Sequence, residues 1–228
     1  MKDVAVVPVK SLSEAKRRLS THLNPDERRR LVLAMLEDVL QALEHSTMFS
    51  EILVVSPDNS LQELVRKNHV VFVKQRGTGL NAAIRQASRQ LSIKSASSMT
   101  TILADLPLVK AKDFRELREI SEETPRIVLA PSLKGGTNIM ARYPPGVIPN
   151  SYGRWSYAKH LRAGQREGLP VYSVSNLRLA LDIDTIQDLK SLRHFDPSAK
   201  THAGRFARDI GGSSQVGRKP RPPLLIPE

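Results

Sequence analysis

Two acidic phrases stand where an α/β enzyme would place metal ligands. Asp105 ends the predicted strand 100–105 and precedes Leu106-Pro107, and a second phrase, Leu181-Asp-Ile-Asp-Thr185, follows apolar sequence far downstream. Open α/β sheets bind ligands outside the carboxyl ends of their strands, and carboxylates there can hold a hard cation such as Mg²⁺. The same residues could instead cap the helices that follow them. On a chain with 35 Lys and Arg against 23 Asp and Glu, the pair suggests metal-assisted chemistry on phosphates.

A cluster of cations follows the first predicted strand. Lys10, Lys16, Arg17 and Arg18 lie in the loop 10–20. This loop has neither the G-x-G-x-x-G pattern of dinucleotide-binding proteins nor the G-x-x-x-x-G-K-[ST] pattern of P-loop NTPases. Several cations here could clamp a triphosphate and stabilise the charge on a leaving pyrophosphate. The alternative is a solvated basic surface at the start of a helix.

The phrase Gly77-Thr-Gly-Leu-Asn81 suits a nucleotide-binding loop at the start of a helix. Glycines such as Gly79 allow a ligand to approach the backbone closely. The amide of Asn81 could donate and accept hydrogen bonds at a base or a ribose. An ordinary glycine turn before a helix would explain the same residues.

Two further phrases could bind the anionic part of a second substrate. Gly135-Gly-Thr-Asn138 offers successive backbone N–H groups and the hydroxyl of Thr137, as in an anion-binding nest. Gly153 and Ser156 lie at the start of a predicted helix, whose free N–H groups form a natural phosphate or carboxylate site. Alternatively, Ser156 is a plain N-cap and His160 a surface histidine on the same helix.

Composition indicates an ordinary soluble globular protein. The 228 residues fit one α/β domain with additions, or at most two small domains. The chain has no Cys, which excludes disulfides and thiolate chemistry and fits a cytoplasmic protein. We expect no membrane span, because no apolar run approaches about 18 residues, and no signal peptide, because the first residues lead straight into a strand.

The net charge of +12 is compatible with several anionic partners. Part of it lies in the Gly-, Ser- and Pro-rich segment 211–223, which has the composition of a flexible or extended tail. Aromatic residues make up 4% of the chain and do not alternate with the basic ones. Recognition of single-stranded nucleic acid by base stacking is therefore disfavoured.

Apolar runs and helix-start signals alternate along the chain. Asn24-Pro-Asp-Glu27 combines an N-cap, a proline at the first helical position and a Glu three residues after the cap. Strands are predicted at 4–9, 51–56, 70–73, 100–105, 126–130 and 171–174. Helices are predicted at 25–43, 61–66, 113–120, 157–167 and 186–192. The segment 77–84 begins one further helix, which ends near residue 91. This order favours a three-layer α/β fold with a mostly parallel sheet and right-handed crossovers. The Gly- and Pro-rich stretch 131–153 is expected to form substrate loops over the sheet.

Taken in order, these phrases resemble those of the guanylyltransferases of coenzyme F420 biosynthesis, the 2-phospho-L-lactate guanylyltransferase (CofC) family. The resemblance covers about residues 4–190. It rests on Pro8-Val-Lys10, Ala15-Lys-Arg-Arg-Leu19, Gly79-Leu-Asn81, Ala104-Asp-Leu-Pro107, Gly136-Thr-Asn138, Gly153-Arg-Trp-Ser156 with His160, and Asp182-Ile-Asp-Thr185.

The resemblance implies a nucleotidyltransferase fold of the nucleotide-diphospho-sugar transferase type. It also implies the joining of GTP to 2-phospho-L-lactate or phosphoenolpyruvate with release of pyrophosphate. Mg²⁺ would be held by Asp105 and by Asp184, with Asp182 as the alternative second ligand. The residues assigned to the nucleotide are Pro8, Lys10, Lys16, Arg18, Gly79 and Asn81, of which the three cations would act in catalysis, and those assigned to the three-carbon acid are Thr137, Gly153 and Ser156. The expected assembly is a cytoplasmic homodimer with a guanylyltransferase domain over 1–199 and a basic, flexible Gly/Pro-rich tail over 200–228.

One departure from the family pattern concerns the acceptor. Lys134-Gly135 stands before the G-T-N phrase, where an acidic residue is expected, so 2-phospho-L-lactate, phosphoenolpyruvate and 3-phosphoglycerate all stay open. Two other functions fit the residues: a nucleotidyltransferase with another phosphorylated acceptor, and a non-catalytic nucleic-acid-binding protein. The second is disfavoured, because carboxylates in a binding groove would repel a polyanion.

Overall fold

The computed structural model describes residues 2–67, 70–90 and 95–213. Within these ranges no helix is long and apolar enough to cross a membrane. The strands are β1 Asp3–Pro8, β2 Glu51–Ser56, β3 Val71–Lys74, β4 Ser98–Ile102, β5 Arg126–Pro131, β6 Thr137–Tyr143 and β7 Val171–Ser173. The helices are α1 Pro25–Ser46, α2 Gln62–Lys67, α3 Leu80–Gln90, α4 Ala111–Glu119, α5 Ser156–Arg166, α6 Leu177–Ala180, α7 Ile186–Phe195 and α8 His202–Ser213.

The strands form one sheet in the order β3-β2-β1-β4-β6-β5-β7. β6 runs antiparallel to both of its neighbours, β4 and β5, whereas the other paired strands are parallel. Helices cover both faces. One face packs against α1, α4, α7 and α8, and the other against α3 and α5. The predicted three-layer, mostly parallel α/β fold is therefore confirmed.

Strand β6 is a correction to the sequence prediction, which expected substrate loops throughout 131–153. Its residues 139–141 are fully or almost fully buried, because the strand lies between two others near the middle of the sheet. This short apolar run was not recognised as a strand because glycines and prolines lie on either side of it in the sequence. Because β6 is reversed, its first residue lies at the carboxyl edge of the sheet, beside the ends of β4 and β5.

Helix α1 begins as its sequence predicts. The Asn24 side chain accepts the Glu27 N–H at 2.9 Å, and the Glu27 carboxylate accepts the Asn24 N–H at 2.8 Å. Pro25 occupies the first helical position, where its missing N–H removes no hydrogen bond. This capping box fixes the helix start and with it the end of the loop 10–23, which carries the predicted catalytic cations.

The folded chain extends past the boundary expected at residue 199. Helix α8 buries Ala203, Phe206 and Ala207 in the same core as α1. Asp38 of α1 accepts the backbone N–H groups of His202 and Ala203 at 2.7 and 2.9 Å and so caps the first turn of α8. The predicted tail is therefore helical from 202 to 213, and the rest of it, 214–228, lies outside the described residues.

Candidate active site

The candidate site lies at the carboxyl edge of the sheet, where β4 ends and the segment 181–185 approaches it. Asp105 follows shortly after the end of β4. Its carbonyl oxygen accepts a hydrogen bond from the Ile183 N–H at 3.1 Å. This bond holds the acidic phrase 182–184 against the end of β4. The two acidic phrases that the sequence singles out therefore meet in space.

Lys16 joins the two predicted metal-binding carboxylates. Its Nζ donates to Asp105 Oδ2 at 2.8 Å and to Asp184 Oδ1 at 2.9 Å. Burial by itself would lower the pKa of Lys16, but the two carboxylates outweigh that effect and the pKa is raised. Burial would likewise raise the pKa of Asp184, but the Lys16 ammonium reverses this and the pKa is lowered. Lys16 and Asp184 are therefore charged at neutral pH, and the ammonium offsets part of the repulsion between the two carboxylates.

Neither Asp105 nor Asp184 caps a helix, so that simpler interpretation is wrong. The N-cap of α7 is Thr185, whose hydroxyl accepts the Asp188 N–H while the Asp188 carboxylate accepts the Thr185 N–H. Helix α4 starts after Lys110, well beyond Asp105. Both carboxylates are thus available to a cation.

Lys134, the departure from the family pattern, reaches a second pair of carboxylates in the same cluster. Its Nζ lies 2.7 Å from Asp188 Oδ2 and 3.4 Å from Asp182 Oδ2. Burial and the nearby Asp105 carboxylate raise the pKa of Asp182, and Lys134 opposes them. The sequence offered no signal for this contact, because Lys134 and Asp188 are 54 residues apart.

The other cations assigned to the nucleotide are exposed. Pro8 is the buried last residue of β1, and Lys10 is exposed just beyond it. Arg18 lies in the 3₁₀ turn Arg17–Leu19. Its guanidinium is exposed and 3.8 Å from Asp184 Oδ2. The expected clamp of Lys10, Lys16 and Arg18 thus contains one largely enclosed cation and two exposed ones.

Asn81 connects the glycine phrase to the loop that carries Gly153. Its Nδ2 donates to the Tyr152 carbonyl at 3.0 Å, and its Oδ1 accepts the Tyr152 N–H at 2.9 Å. Gly79, just before α3, has a φ of +85°, which glycine adopts without strain. In this structure Asn81 joins the predicted nucleotide-binding loop to the loop that carries Gly153, and its role in contacting the nucleotide stays a prediction.

Thr137 and Ser156, both assigned to the three-carbon acid, lie against each other. Ser156 Oγ accepts the Thr137 N–H at 2.9 Å, and both residues are buried. Ser156 is the first residue of α5, and its N-cap is Trp155, so Ser156 is not the plain N-cap that its position suggested. The serine hydroxyl instead ties the start of α5 to the start of β6.

The anion-binding nest predicted at Gly135-Gly-Thr137 is wrong in its simple form. The N–H groups of Gly135 and Gly136 donate to the carbonyl and the hydroxyl of Ser132 at 3.1 and 3.0 Å. The Thr137 N–H is taken by Ser156. The phrase is a hairpin turn between β5 and β6 that satisfies its own donors, so hydroxyl groups and the nearby helix start are left to contact an anion.

His160 is buried, not at the surface, and its proton can be assigned. The Ser151 N–H donates to His160 Nε2 at 3.0 Å, and His160 Nδ1 lies 3.0 Å from Thr137 Oγ1. A backbone N–H can only donate, so Nε2 carries no proton and the proton of the neutral ring is on Nδ1. That proton is donated to Thr137 Oγ1, which leaves the Thr137 hydroxyl hydrogen directed elsewhere. Burial, with the charges of Arg142 and Lys159, lowers the pKa of His160 to about 4.

The carboxylates at this edge fit a magnesium site. Asp105 Oδ1 and Asp182 Oδ1 are buried and have no hydrogen-bond partner among the described residues, while Asp105 Oδ2 and Asp184 Oδ1 already hold an ammonium. Mg²⁺ is usually bound by one or two carboxylates together with substrate phosphates and water. In the described ranges no group of three or more His, Cys, Asp and Glu could hold a metal, and a Mg²⁺ ion held by two carboxylates would take its other ligands from phosphates and water.

A basic groove of about 700 Å³ lies elsewhere, between β3 and α3. Its cationic lining residues are Lys74, Arg76, Arg85 and Arg89. Gln86 partly closes the sheet edge there, because its amide accepts the Arg76 N–H and donates to the Lys74 carbonyl. No acidic residue lines this groove among the described residues. It therefore lacks the carboxylates that a metal-assisted reaction needs, and we place the candidate active site at Asp105.

Comparison with known proteins identifies the family. The model of the family described as guanylyl transferase CofC like matches residues 3–224. A phosphoenolpyruvate guanylyltransferase of Sphaerobacter thermophilus is 37% identical over 198 residues, which cover 86% of this chain and 95% of the relative. A 2-phospho-L-lactate guanylyltransferase of Methanocaldococcus vulcanius is 30% identical over 209 residues, which cover 91% of each chain.

Solved structures show the same fold. A crystal structure from Desulfovibrio desulfuricans, assigned to the nucleotide-diphospho-sugar transferases, superposes with a TM-score of 0.75 over 93% of this chain and 96% of that one, at 17% identity. The resemblance and the fold class drawn from the sequence are both confirmed. The chain is a nucleotidyltransferase, and it belongs to the CofC-like guanylyl transferase family.

Proposed function

We propose that the protein transfers a guanylyl group from GTP to phosphoenolpyruvate or 2-phospho-L-lactate, with release of pyrophosphate, as a step of coenzyme F420 biosynthesis. The observation that carries the proposal is the meeting of Asp105 and Asp184 around one cation at the carboxyl edge of the sheet. In a chain of this family, that arrangement is suited to handling a triphosphate. A nucleic acid would meet the same carboxylates, which does not favour it as a partner.

Phosphoenolpyruvate is the acceptor that we favour. The relative named for that substrate is 37% identical to this chain, against 30% for the relative named for 2-phospho-L-lactate. Lys134 adds a cation beside the carboxylate cluster, which suits an acid that carries both a carboxylate and a phosphate but does not separate phosphoenolpyruvate from 2-phospho-L-lactate. We keep 3-phosphoglycerate as the third candidate.

The reaction needs little covalent work from the protein. An oxygen of the acceptor phosphate attacks the α-phosphorus of GTP in line, the bond from that phosphorus to the bridging oxygen breaks, and pyrophosphate leaves. Positioning and charge stabilisation then supply most of the rate enhancement. The acceptor phosphate is already anionic near neutral pH and needs no general base. The buried, neutral His160, with its pKa lowered to about 4, supports this, because both of its ring nitrogens are engaged by the protein.

Each side of the site has its own residues. On the nucleotide side, Lys10, Lys16 and Arg18 would bind the triphosphate and stabilise the leaving pyrophosphate. Asp105 and Asp184 would hold Mg²⁺, which when bound supplies neutralisation of the charge between two anionic substrates.

On the acceptor side, Thr137, Ser156 and Gly153 would contact the acid. The hydroxyl hydrogen of Thr137 is free to be donated, since His160 already donates to its oxygen. Gly153 has a φ of +127° and no neighbouring atom within 4 Å of the position of a Cβ, so the backbone is open to a ligand there. We also propose a cytoplasmic homodimer, whose mass in solution light scattering would measure.

The test is pyrophosphate release by wild-type protein and by Asp105→Asn with GTP and each of the three acids. We expect activity with phosphoenolpyruvate or 2-phospho-L-lactate, and a loss of about 10²-fold or more in Asp105→Asn, because losing a metal ligand removes several kcal/mol of charge stabilisation. Asp196→Asn is the matched control. Asp196 accepts the N–H groups of Lys200 and Thr201 after α7, away from the site, and its variant should keep the wild-type rate.

Two outcomes would contradict the proposal. Activity of Asp105→Asn within about threefold of wild type at saturating Mg²⁺ would remove Asp105 from the reaction. Failure of wild-type protein to release pyrophosphate with all three acids, while another phosphorylated acceptor supports it, would replace the substrate assignment and keep the nucleotidyltransferase.

A further inference from the structure

The ammonium of Lys16 lies where a divalent cation would have to bind. It is within 2.8 and 2.9 Å of oxygens of Asp105 and Asp184, the two carboxylates proposed above to hold Mg²⁺. We propose that Lys16 is a placeholder for that cation: it offsets part of the charge of the carboxylate pair in the free enzyme, and when Mg²⁺ and GTP bind it is displaced from the carboxylates onto the triphosphate. This inference rests on the proposed function.

The backbone aims Lys16 inward. Its φ of +52° and ψ of +41° lie in the left-handed region, which is unfavourable for a residue with a side chain and persists only where surrounding contacts enforce it. The fully buried Leu19 anchors the turn that follows. The Lys16 side chain is only 9% exposed. The loop is therefore built to deliver this ammonium to the carboxylates and not to solvent.

Neighbouring cations do not take over this task. Arg18 is 71% exposed and 3.8 Å from Asp184. Lys134 contacts Asp182 and Asp188. Among the described residues, Lys16 is thus the cation that contacts both Asp105 and Asp184. A lysine is suited to a temporary role, because its ammonium is a point charge on a flexible stem and can swing to a phosphate while its backbone stays in place.

The consequence is a coupling between metal and nucleotide. In the free enzyme a metal ion must compete with the ammonium for the carboxylates, so it binds weakly. GTP offers the displaced ammonium a new anionic partner, so it removes that competition. Linkage then requires that metal and nucleotide each strengthen the binding of the other by the same factor.

The experiment measures Mn²⁺ binding by electron paramagnetic resonance, with and without an α,β-methylene analogue of GTP that cannot react. For Lys16→Met we expect Mn²⁺ to bind the free protein about tenfold tighter than wild type or more, because two carboxylates lose their competing cation. The phosphates of the analogue complete the metal's coordination in both proteins, so the analogue should tighten Mn²⁺ binding in both, but by about tenfold more in wild type than in Lys16→Met. Lys16→Gln serves as a second variant in case the methionine impairs folding.

Lys134→Met is the matched control, since it removes the same charge from the same acidic cluster without touching Asp105 or Asp184. Its Mn²⁺ affinity should stay within about threefold of wild type. Two results would refute the placeholder role. In the first, Lys16→Met binds Mn²⁺ no tighter than wild type, which includes the case in which neither protein binds Mn²⁺ detectably. In the second, Lys134→Met tightens Mn²⁺ binding as much as Lys16→Met does. If Asp105→Asn abolishes guanylyl transfer while Lys16→Met leaves the Mn²⁺ affinity unchanged, the placeholder role of Lys16 is refuted and the proposed function is not. If Asp105→Asn stays active, the metal assignment itself fails.

Discussion

Protonation of His160 should weaken the fold as the pH falls below about 6.5. The ring is fully buried, and its Nε2 accepts the Ser151 N–H. A second proton would have to be placed on Nε2, directly opposite that donor. The folded protein therefore takes up this proton only near pH 4, whereas an unfolded chain takes it up near pH 6.5.

The magnitude follows from the two pKa values. The drop from 6.5 to about 4 corresponds to about 3 kcal/mol at full effect. Because the unfolded state binds more protons in this interval, the free energy of unfolding falls as the pH falls. At pH 4.5 about 2.5 kcal/mol of the effect should be present, and above pH 7 none of it.

Other groups titrate in the same range, so the assay compares two proteins. Burial raises the pKa of Asp38 to about 7, and it also raises the pKa of Asp182. Both groups take up protons more readily in the folded state, so they act with the opposite sign. His160→Gln removes only the histidine, keeps an acceptor for the Ser151 N–H and does not titrate.

Urea unfolding at pH 7 and at pH 4.5 should therefore show the variant gaining about 2.5 kcal/mol relative to wild type at the lower pH. An unchanged difference between the two proteins at the two pH values would refute the assignment of the neutral, Nδ1-protonated ring. His160→Asn provides a second non-titrating protein should the glutamine variant not fold.

Three further outcomes are expected. Ser156→Ala leaves the buried Thr137 N–H without its acceptor, so kcat/KM for the acid should fall by a factor equivalent to about 1–3 kcal/mol while the KM for GTP changes little; separate titration of the two substrates checks this, and a defect confined to GTP would contradict it. Asn81→Ala removes the hydrogen bonds between α3 and Tyr152, so the KM values of both substrates should rise. Steady-state kinetics with each substrate varied in turn measures this, and a rise in only one KM would contradict it. Asp38→Ala removes the cap of α8 and should lower the free energy of unfolding by about 2 kcal/mol with little change in kcat; unfolding in urea at pH 8 measures it, and unchanged stability would show that α8 does not depend on this cap.

Local chemistry was readable from the sequence wherever neighbouring residues determine the structure. The capping box of Asn24 and Glu27 depends on residues three apart, and it placed the start of α1 correctly. The rule that ligands bind at the carboxyl ends of strands likewise placed Asp105 and Asp184 at one edge. The proximity of these two carboxylates could be predicted from apolar runs that end in an Asp, and no other sequence pattern was needed.

Long-range contacts were beyond the sequence. Lys16 and Asp105 are 89 residues apart, and nothing in either phrase identifies the other as its partner. Residues from 200 onward were predicted to be a tail because the segment 211–223 is rich in Gly, Ser and Pro. Helix α8 nevertheless packs into the core, and its Gly204 is required by packing, since a Cβ there would overlap the Asp196 carboxylate. A glycine can therefore mark a close approach as well as a flexible segment.

His160 shows the same limit for a single side chain. A histidine on a helix is more often exposed than buried, and only the position of the Ser151 backbone reveals why this ring is enclosed. The direction of β6 was equally hidden, because the choice between parallel and antiparallel pairing is made by the neighbours of a strand and not by its own residues.

The reversal of β6 separates the frame of the turn 132–136 from the side chain that it presents. Pro131 at the end of β5 pairs with Thr137 at the start of β6, so the sheet fixes both ends of the turn. Within the turn, Gly135 is constrained by its φ of +78°, which favours glycine. Lys134 has no such backbone constraint, and its ammonium reaches out of the turn to the acidic cluster. Under the proposed function, the charge at this one position can therefore change between members of the family without moving a strand.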